Sequence, residues 1–188
     1  MKKFFTIIVC LFILLGWYNV VMAADEDGTT LHWNNTRTIK VYIPYHQYEK
    51  SLRHAFEYWE RATDKHLHFI MVHTPSLAQD KVIFVDKLDG NAVGLTRKEW
   101  RTIKYADGKE KNELSGVKIY IAMKNVNGEQ MSRDQIYTIA LHEIGHSLGL
   151  GHNNNPKSIM YPNAYQYGLM EVTKQDIKDL YNLYGWRY

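Results

Sequence analysis

Apolar positions along this chain follow two periods, and each period marks a kind of element. Ile39, Val41 and Ile43 alternate with Thr38, Lys40 and Tyr42 as far as Pro44, the pattern of a half-buried strand. Tyr48, Leu52, Ala55, Phe56 and Trp59 then recur at helical spacing, which predicts a helix from about Tyr48 to Ala62 with that face laid on a sheet. Leu67 to Val72 and Val82 to Val85 read as short strands on either side of a loop at Pro75, and Asp86 to Asn91 as a turn-rich loop. Val93 to Trp100 predicts another strand, followed by an exposed turn at Asp107-Gly108 and a lysine- and glutamate-rich loop. Val117, Ile119 and Ile121, alternating with Lys118, Tyr120 and Ala122, predict a last strand over Val117 to Met123.

Two further helices announce themselves by their ends. Ser132 with Gln135 makes a capping box, and Met131 with Ile136 stands at the positions of a hydrophobic staple. Ile136, Ile139, Ala140 and Ile144 give that helix an apolar side, so a buried helix of about four turns ending near Leu148 is expected. Thr173 with Asp176 caps a final helix that presents Ile177, Leu180 and Tyr184 to the core. Strands and helices interleave without repeats or low-complexity tracts, so a single α+β domain is expected.

The beginning of the chain changes this picture. Met1-Lys2-Lys3 precedes an apolar run from Phe4 through Met22, and Val21-Met22-Ala23 reads as a small-residue cleavage site, so residues 1–23 are expected to be a secretory signal. An uncleaved membrane anchor is the competing reading; Ala23 and the acidic Asp25-Glu26-Asp27 favour cleavage. Residues 24–188 then form one domain with one core, expected to be secreted, extracellular, monomeric and free of the membrane once the signal is cut. The 23 basic and 20 acidic residues, scattered among one another, give no stripe for nucleic acid or an anionic membrane. The only cysteine is Cys10, inside the signal, so stability must come from packing and bound metal.

The chemistry is concentrated in His142-Glu143-Ile144-Gly145-His146-Ser147-Leu148-Gly149-Leu150-Gly151-His152. His142 and His146, four apart, project from one face of a helix and can grip one ion together. Gly149 can take the left-handed conformation that ends a helix, so the chain can return His152 to the same ion. Three nitrogens leave a fourth position open, the mark of a catalytic rather than a structural zinc site. Glu143 is not needed as a ligand and is placed to take a proton from attacking water. The implied reaction is amide hydrolysis.

The motif through Gly149 to His152 resembles the metzincin clan of zinc peptidases. Ser158-Ile159-Met160-Tyr161-Pro162 resembles their Met-turn in its matrixin form, and Thr173 to Gly185 is similar to the last helix of matrix metalloproteinase catalytic domains. Ala55-Phe56-Glu57-Tyr58-Trp59 resembles the first matrixin helix, and Ala92-Val93-Gly94-Leu95-Thr96 the edge strand above the cleft, particularly in small bacterial members. The resemblance implies a zincin-like fold with a twisted mixed sheet, an N-terminal helix, a catalytic helix, a Met-turn and a C-terminal helix. It implies a zinc endopeptidase acting on protein or peptide substrates, with His142, His146 and His152 as ligands of one zinc ion. Glu143 would then be general base and Met160 the floor, with Val93, Gly94 and Leu95 on one side of the substrate cleft and Pro162 and Tyr165 on the other.

Asn153 follows the third histidine, where matrixins often have Ser, and a cysteine switch and extra cysteine ligands are excluded. No histidine occurs from Thr74 to Leu141, which argues against the second, structural zinc of vertebrate matrixins. His66 and His68 share a strand face and read more simply as an exposed polar face than as a second metal site; His32, His46, His54 and His73 read as surface residues. Asp86, Asp89 and Asn91 around Gly90 offer oxygen ligands for calcium, and a plain turn has the same composition. Two rivals stay open: a catalytically silent zincin-fold binding protein and a metallo-exopeptidase restricted to short peptides.

Overall fold

The computed structural model describes residues 31–187, so the expected signal, Cys10 and Asp25-Glu26-Asp27 lie outside the described residues. Five strands form one sheet: β1 (Ile39–Tyr42), β2 (Phe69–Met71), β3 (Asp80–Val85), β4 (Gly94–Lys104) and β5 (Glu110–Ala122), in the order β2-β1-β3-β5-β4. All neighbours run parallel except β4, which lies antiparallel to β5 at the edge. Three helices complete the fold: α1 (Glu49–Ala62), α2 (Arg133–Ser147) and α3 (Lys174–Tyr184). This is the α+β architecture expected, with a mixed sheet and an N-terminal, a central and a C-terminal helix.

Helix α1 buries Leu52, Ala55, Phe56 and Trp59, the face read from the periodicity. Trp59 crosses to the centre of the molecule, where its Nε1 donates to Leu141 O at 3.0 Å and ties α1 to α2. Helix α2 begins as expected, with Ser132 and Gln135 closing a reciprocal capping box and Met131 buried beside it. It is the buried helix expected, covered on more than its apolar side. Ten of its residues are buried, Thr138, His142, Glu143 and Ser147 among them, because α1 covers one side, β4 and β5 a second and the segment after Pro162 a third. Helix α3 is capped by Thr173 and Asp176 and ended by Gly185 at φ 65°; Ile177 and Leu180 are buried and Tyr184 packs partly covered against the core as expected, with Tyr181 buried beside them.

The largest departure is the β4–β5 hairpin. The strand expected over Val93 to Trp100 continues to Lys104, and the expected lysine- and glutamate-rich loop is the first half of β5. Only the Asp107-Gly108 turn survives as loop, with Gly108 at φ 83°. Charged residues are poor strand formers taken singly. Here they pair across the ladder, Lys104 with Glu110 at 2.7 Å and Arg101 with Glu113 at 3.3 Å, a partnership invisible to local pattern.

Asp80, at the head of β3, is wholly buried with neither carboxylate oxygen hydrogen-bonded; the nearby Ser147 hydroxyl donates to Ile144 O. Burial pushes its pKa up to about 7, against a smaller lowering by Ser147. Since an unfolded Asp titrates near ~3.9, the folded state holds this proton more tightly, and stability falls as pH rises from about 4 to about 7, then levels. Asp80→Asn is therefore expected to raise the melting temperature most above pH 7, with the gain shrinking toward pH 5. Melting curves across that range that stay parallel for the two proteins would contradict it.

Candidate functional site

The last turns of α2 carry His142, Glu143 and His146 into the interior, and Leu148 and Gly149 stop the helix, Gly149 at φ 103°. A side chain at Gly149 would meet Leu183 Cδ2 at 2.8 Å and Leu31 O at 3.1 Å, so the reversal needs glycine for space as well as for torsion. The chain then returns His152 beside the helix. The three Nε2 atoms stand 3.0 Å (His142–His146), 3.2 Å (His142–His152) and 3.2 Å (His146–His152) apart.

What these nitrogens carry follows from their other side. His142 Nδ1 lies 2.6 Å from Ile159 O and His146 Nδ1 2.8 Å from Leu150 O; a carbonyl only accepts, so both Nδ1 atoms donate. Their Nε2 lone pairs therefore face one another, with no proton between them. Burial lowers the pKa of His142 to about 4, holds that of His146 well below the usual imidazole range, and lowers that of His152 as well, which favours neutral rings at pH 7. Convergent lone pairs repel unless a cation takes their focus. Corners of a tetrahedron with zinc–nitrogen bonds of about 2.0–2.1 Å are ~3.3 Å apart, close to the spacings here, so the donor set fits zinc. Among the described residues this is the one His, Cys, Asp and Glu cluster that could hold a metal.

Beneath the triad runs the tight turn of Ser158 to Pro162. Met160 is buried, and a Cβ on Gly145 would press on its sulfur and come within 3.3 Å of the Trp59 ring, so the thioether packs against the helix between the two histidine turns. Asp176, buried in α3, holds this turn: it accepts from Ile159 N at 3.3 Å and from the Ser158 hydroxyl, which in turn accepts from Met160 N at 2.9 Å. Asn153 adds a clamp from the other side, donating its backbone N–H to Met160 O at 3.1 Å and its side-chain amide to Ser158 Oγ at 2.7 Å. Ile159 thus links Asp176 to the His142 ring. The sequence marks Asp176 only as a helix cap; its second role depends on α3 folding back under the turn.

Glu143 is wholly buried, and burial pushes its pKa up to about 8. Thr96 Oγ1 lies 2.6 Å from Glu143 Oε2, a hydrogen bond that favours the ionised form, as would a dication at the triad. Thr96 belongs to β4, so strand and helix lock together at the reactive carboxylate. Gly94 allows this approach, since a Cβ there would fall 2.7 Å from Glu143 Cδ. Nothing local in the sequence singles out Thr96.

A cleft of about 420 Å³, open to solvent, runs past His142 and Glu143. Ala92, Val93 and Gly94 border it on one side and Pro162, Ala164 and Tyr165 on the other, with Ile139 in its wall. Leu95 is not part of this lining; it alternates to the opposite face of β4, half-buried beside Tyr120. The remaining histidines go elsewhere. His66 stacks on Trp186 with ring centres 4.8 Å apart, while His68 lies 3.0 Å from Glu60, so the two do not form a pair. His32 and His46 are half-buried against Tyr184 and Phe84. Asp86 is engaged by Lys124 at 3.1 Å.

Comparison with known proteins adds three findings. The sequence profile of the family described as Matrixin matches residues 26–185. Rattus norvegicus macrophage metalloelastase is 49% identical over 53 residues, 27% of this chain and 11% of that protein, and Rattus norvegicus matrilysin is 52% identical over 52 residues, 26% of this chain and 19% of that protein. The matched stretch is thus a small part of either relative. Among solved structures, myroilysin aligns over 84% of this chain and 71% of its own with 19% identity and a TM-score of 0.37.

Proposed function

Because the chain belongs to the matrixin family, we propose that it is a secreted zinc endopeptidase that hydrolyses internal peptide bonds of proteins. The observation that carries this reading is the convergence of three Nε2 atoms, two of them held bare by the carbonyls behind their rings, beside a buried carboxylate at an open cleft. His142, His146 and His152 would hold the ion, which when bound supplies Lewis acidity toward the scissile carbonyl and toward water. Ile159 O and Leu150 O fix two of the imidazoles in the ligating tautomer, and Met160 with Asp176 keeps the floor in register. Glu143 takes a proton from the attacking water and passes it to the leaving amine. Thr96 holds the Glu143 carboxylate in place for both transfers.

An extended peptide pairs with the free edge of β4 at Gly94 to Thr96, which leaves one side chain beside the mainly apolar pocket between Val93, Ile139 and Tyr165. No helix among the described residues is long and apolar enough to cross a membrane. The test is a peptide library incubated with the zinc-loaded protein, with and without a chelator. Internal cuts that stop with the chelator and return with zinc are expected; no cleavage, or removal of terminal residues only, would overturn the reading.

A further inference from the structure

Past the cleft, β4 continues for eight residues beyond Thr96. Its partner β5 joins β3 only through Val117 to Ala122, so Glu99–Lys104 and Glu110–Gly116 form a two-stranded ribbon beyond the sheet. The outer edge of β4 pairs with no strand among the described residues. An edge this long is a template for another chain.

Its charge says which chain. Residues 94–122 hold seven lysines and arginines against four carboxylates, whereas the rest of the protein holds sixteen of each, so the whole net charge of +3 resides in this hairpin. On β4 itself Arg97, Lys98, Arg101 and Lys104 face a single acid, Glu99. Arg101 and Lys104 do reach Glu113 and Glu110, but their side chains are 70% and 77% exposed, and pairs so wetted hold weakly. Trp100, 56% exposed, stands between the cations as an apolar contact. A second copy of this strand is a poor occupant: paired antiparallel about Glu99, it would set Arg97 against Arg101 and Glu99 against itself.

We propose that this ribbon docks an acidic, extended segment of the substrate, in continuous β-pairing with the residues held in the cleft. The proposal rests on the peptidase reading above and adds a substrate class to it. A paired peptide advances at the same rise as the strand, roughly 3.3 Å per residue, so Arg101 and Lys104 meet side chains about five to eight positions from those beside Thr96.

The test takes a fluorogenic peptide cut by the protein and extends it, on one end and then the other, by six residues that are either Asp- and Glu-rich or Ser- and Gln-rich. For one end, the acidic extension is expected to raise kcat/KM about tenfold over the neutral one, mostly through KM. That ratio should fall to about one in Arg101→Glu/Lys104→Glu, and in the wild-type protein at about 0.5 M salt. The salt arm reads the effect even if the double variant folds poorly. Equal rates with acidic and neutral extensions at both ends, or a ratio unmoved by salt and by charge reversal, would overturn the proposal. If no peptide is cut, the peptidase reading fails instead, and fluorescence anisotropy of the labelled acidic peptide then decides docking by itself: tighter binding than the neutral peptide supports it, equal binding rejects it.

Discussion

Glu143→Gln is expected to lower kcat for internal peptide bonds by about 10²–10⁴-fold while the protein still binds one zinc ion. The substitution keeps the size of the side chain and its contact with Thr96 and removes only the ability to carry a proton. Glu143 is wholly buried and its Oε2 lies 2.6 Å from Thr96 Oγ1, so the amide has a partner and should not unfold the site. Turnover should be measured beside metal content by elemental analysis and beside the melting curve. Unchanged turnover would exclude Glu143 as the base, and lost zinc would make it a ligand instead.

His146→Ala is expected to abolish measurable cleavage by a different route, through loss of the metal. Two imidazoles cannot hold the ion as three do, and the variant also strips the ring that reaches Leu150 O at 2.8 Å. Because the unfolded chain offers no assembled site, zinc affinity is also folding stability. Zinc present at a thousandfold over its dissociation constant contributes about 4 kcal/mol, or roughly 10 °C in melting temperature for a domain this size. Adding a chelator to the wild-type protein should therefore lower its melting temperature by about that much, and the variant should not respond. A variant that loses activity yet still melts lower with chelator would place the metal on other residues.

Much of this site could be read along the chain because its parts lie within one helix and the turn after it. The spacing of His142, His146 and His152, the glycine stop at Gly149 and the Ser132 capping box are all local, and the folded chain displays each of them. The support around them could not be read, since Thr96, Ile159 and Asp176 reach the site only after β4, the Met160 turn and α3 have come together. Leu95 shows the same limit on a smaller scale. Its neighbours in the sequence line the cleft, but a strand alternates faces and turns it away. The β4–β5 ribbon was hidden for a related reason: its lysines and glutamates favour a strand only when the opposite strand supplies their partners.

Zinc-edge X-ray absorption on the zinc-loaded protein at pH 7, with metal content measured on the same sample, bears most directly on the hydrolytic site. One zinc per chain is expected, with three imidazole nitrogens at about 2.0–2.1 Å and one oxygen from solvent completing the tetrahedron. A fourth protein ligand closing the shell, or fewer than three histidines in it, would contradict a catalytic centre built from His142, His146 and His152.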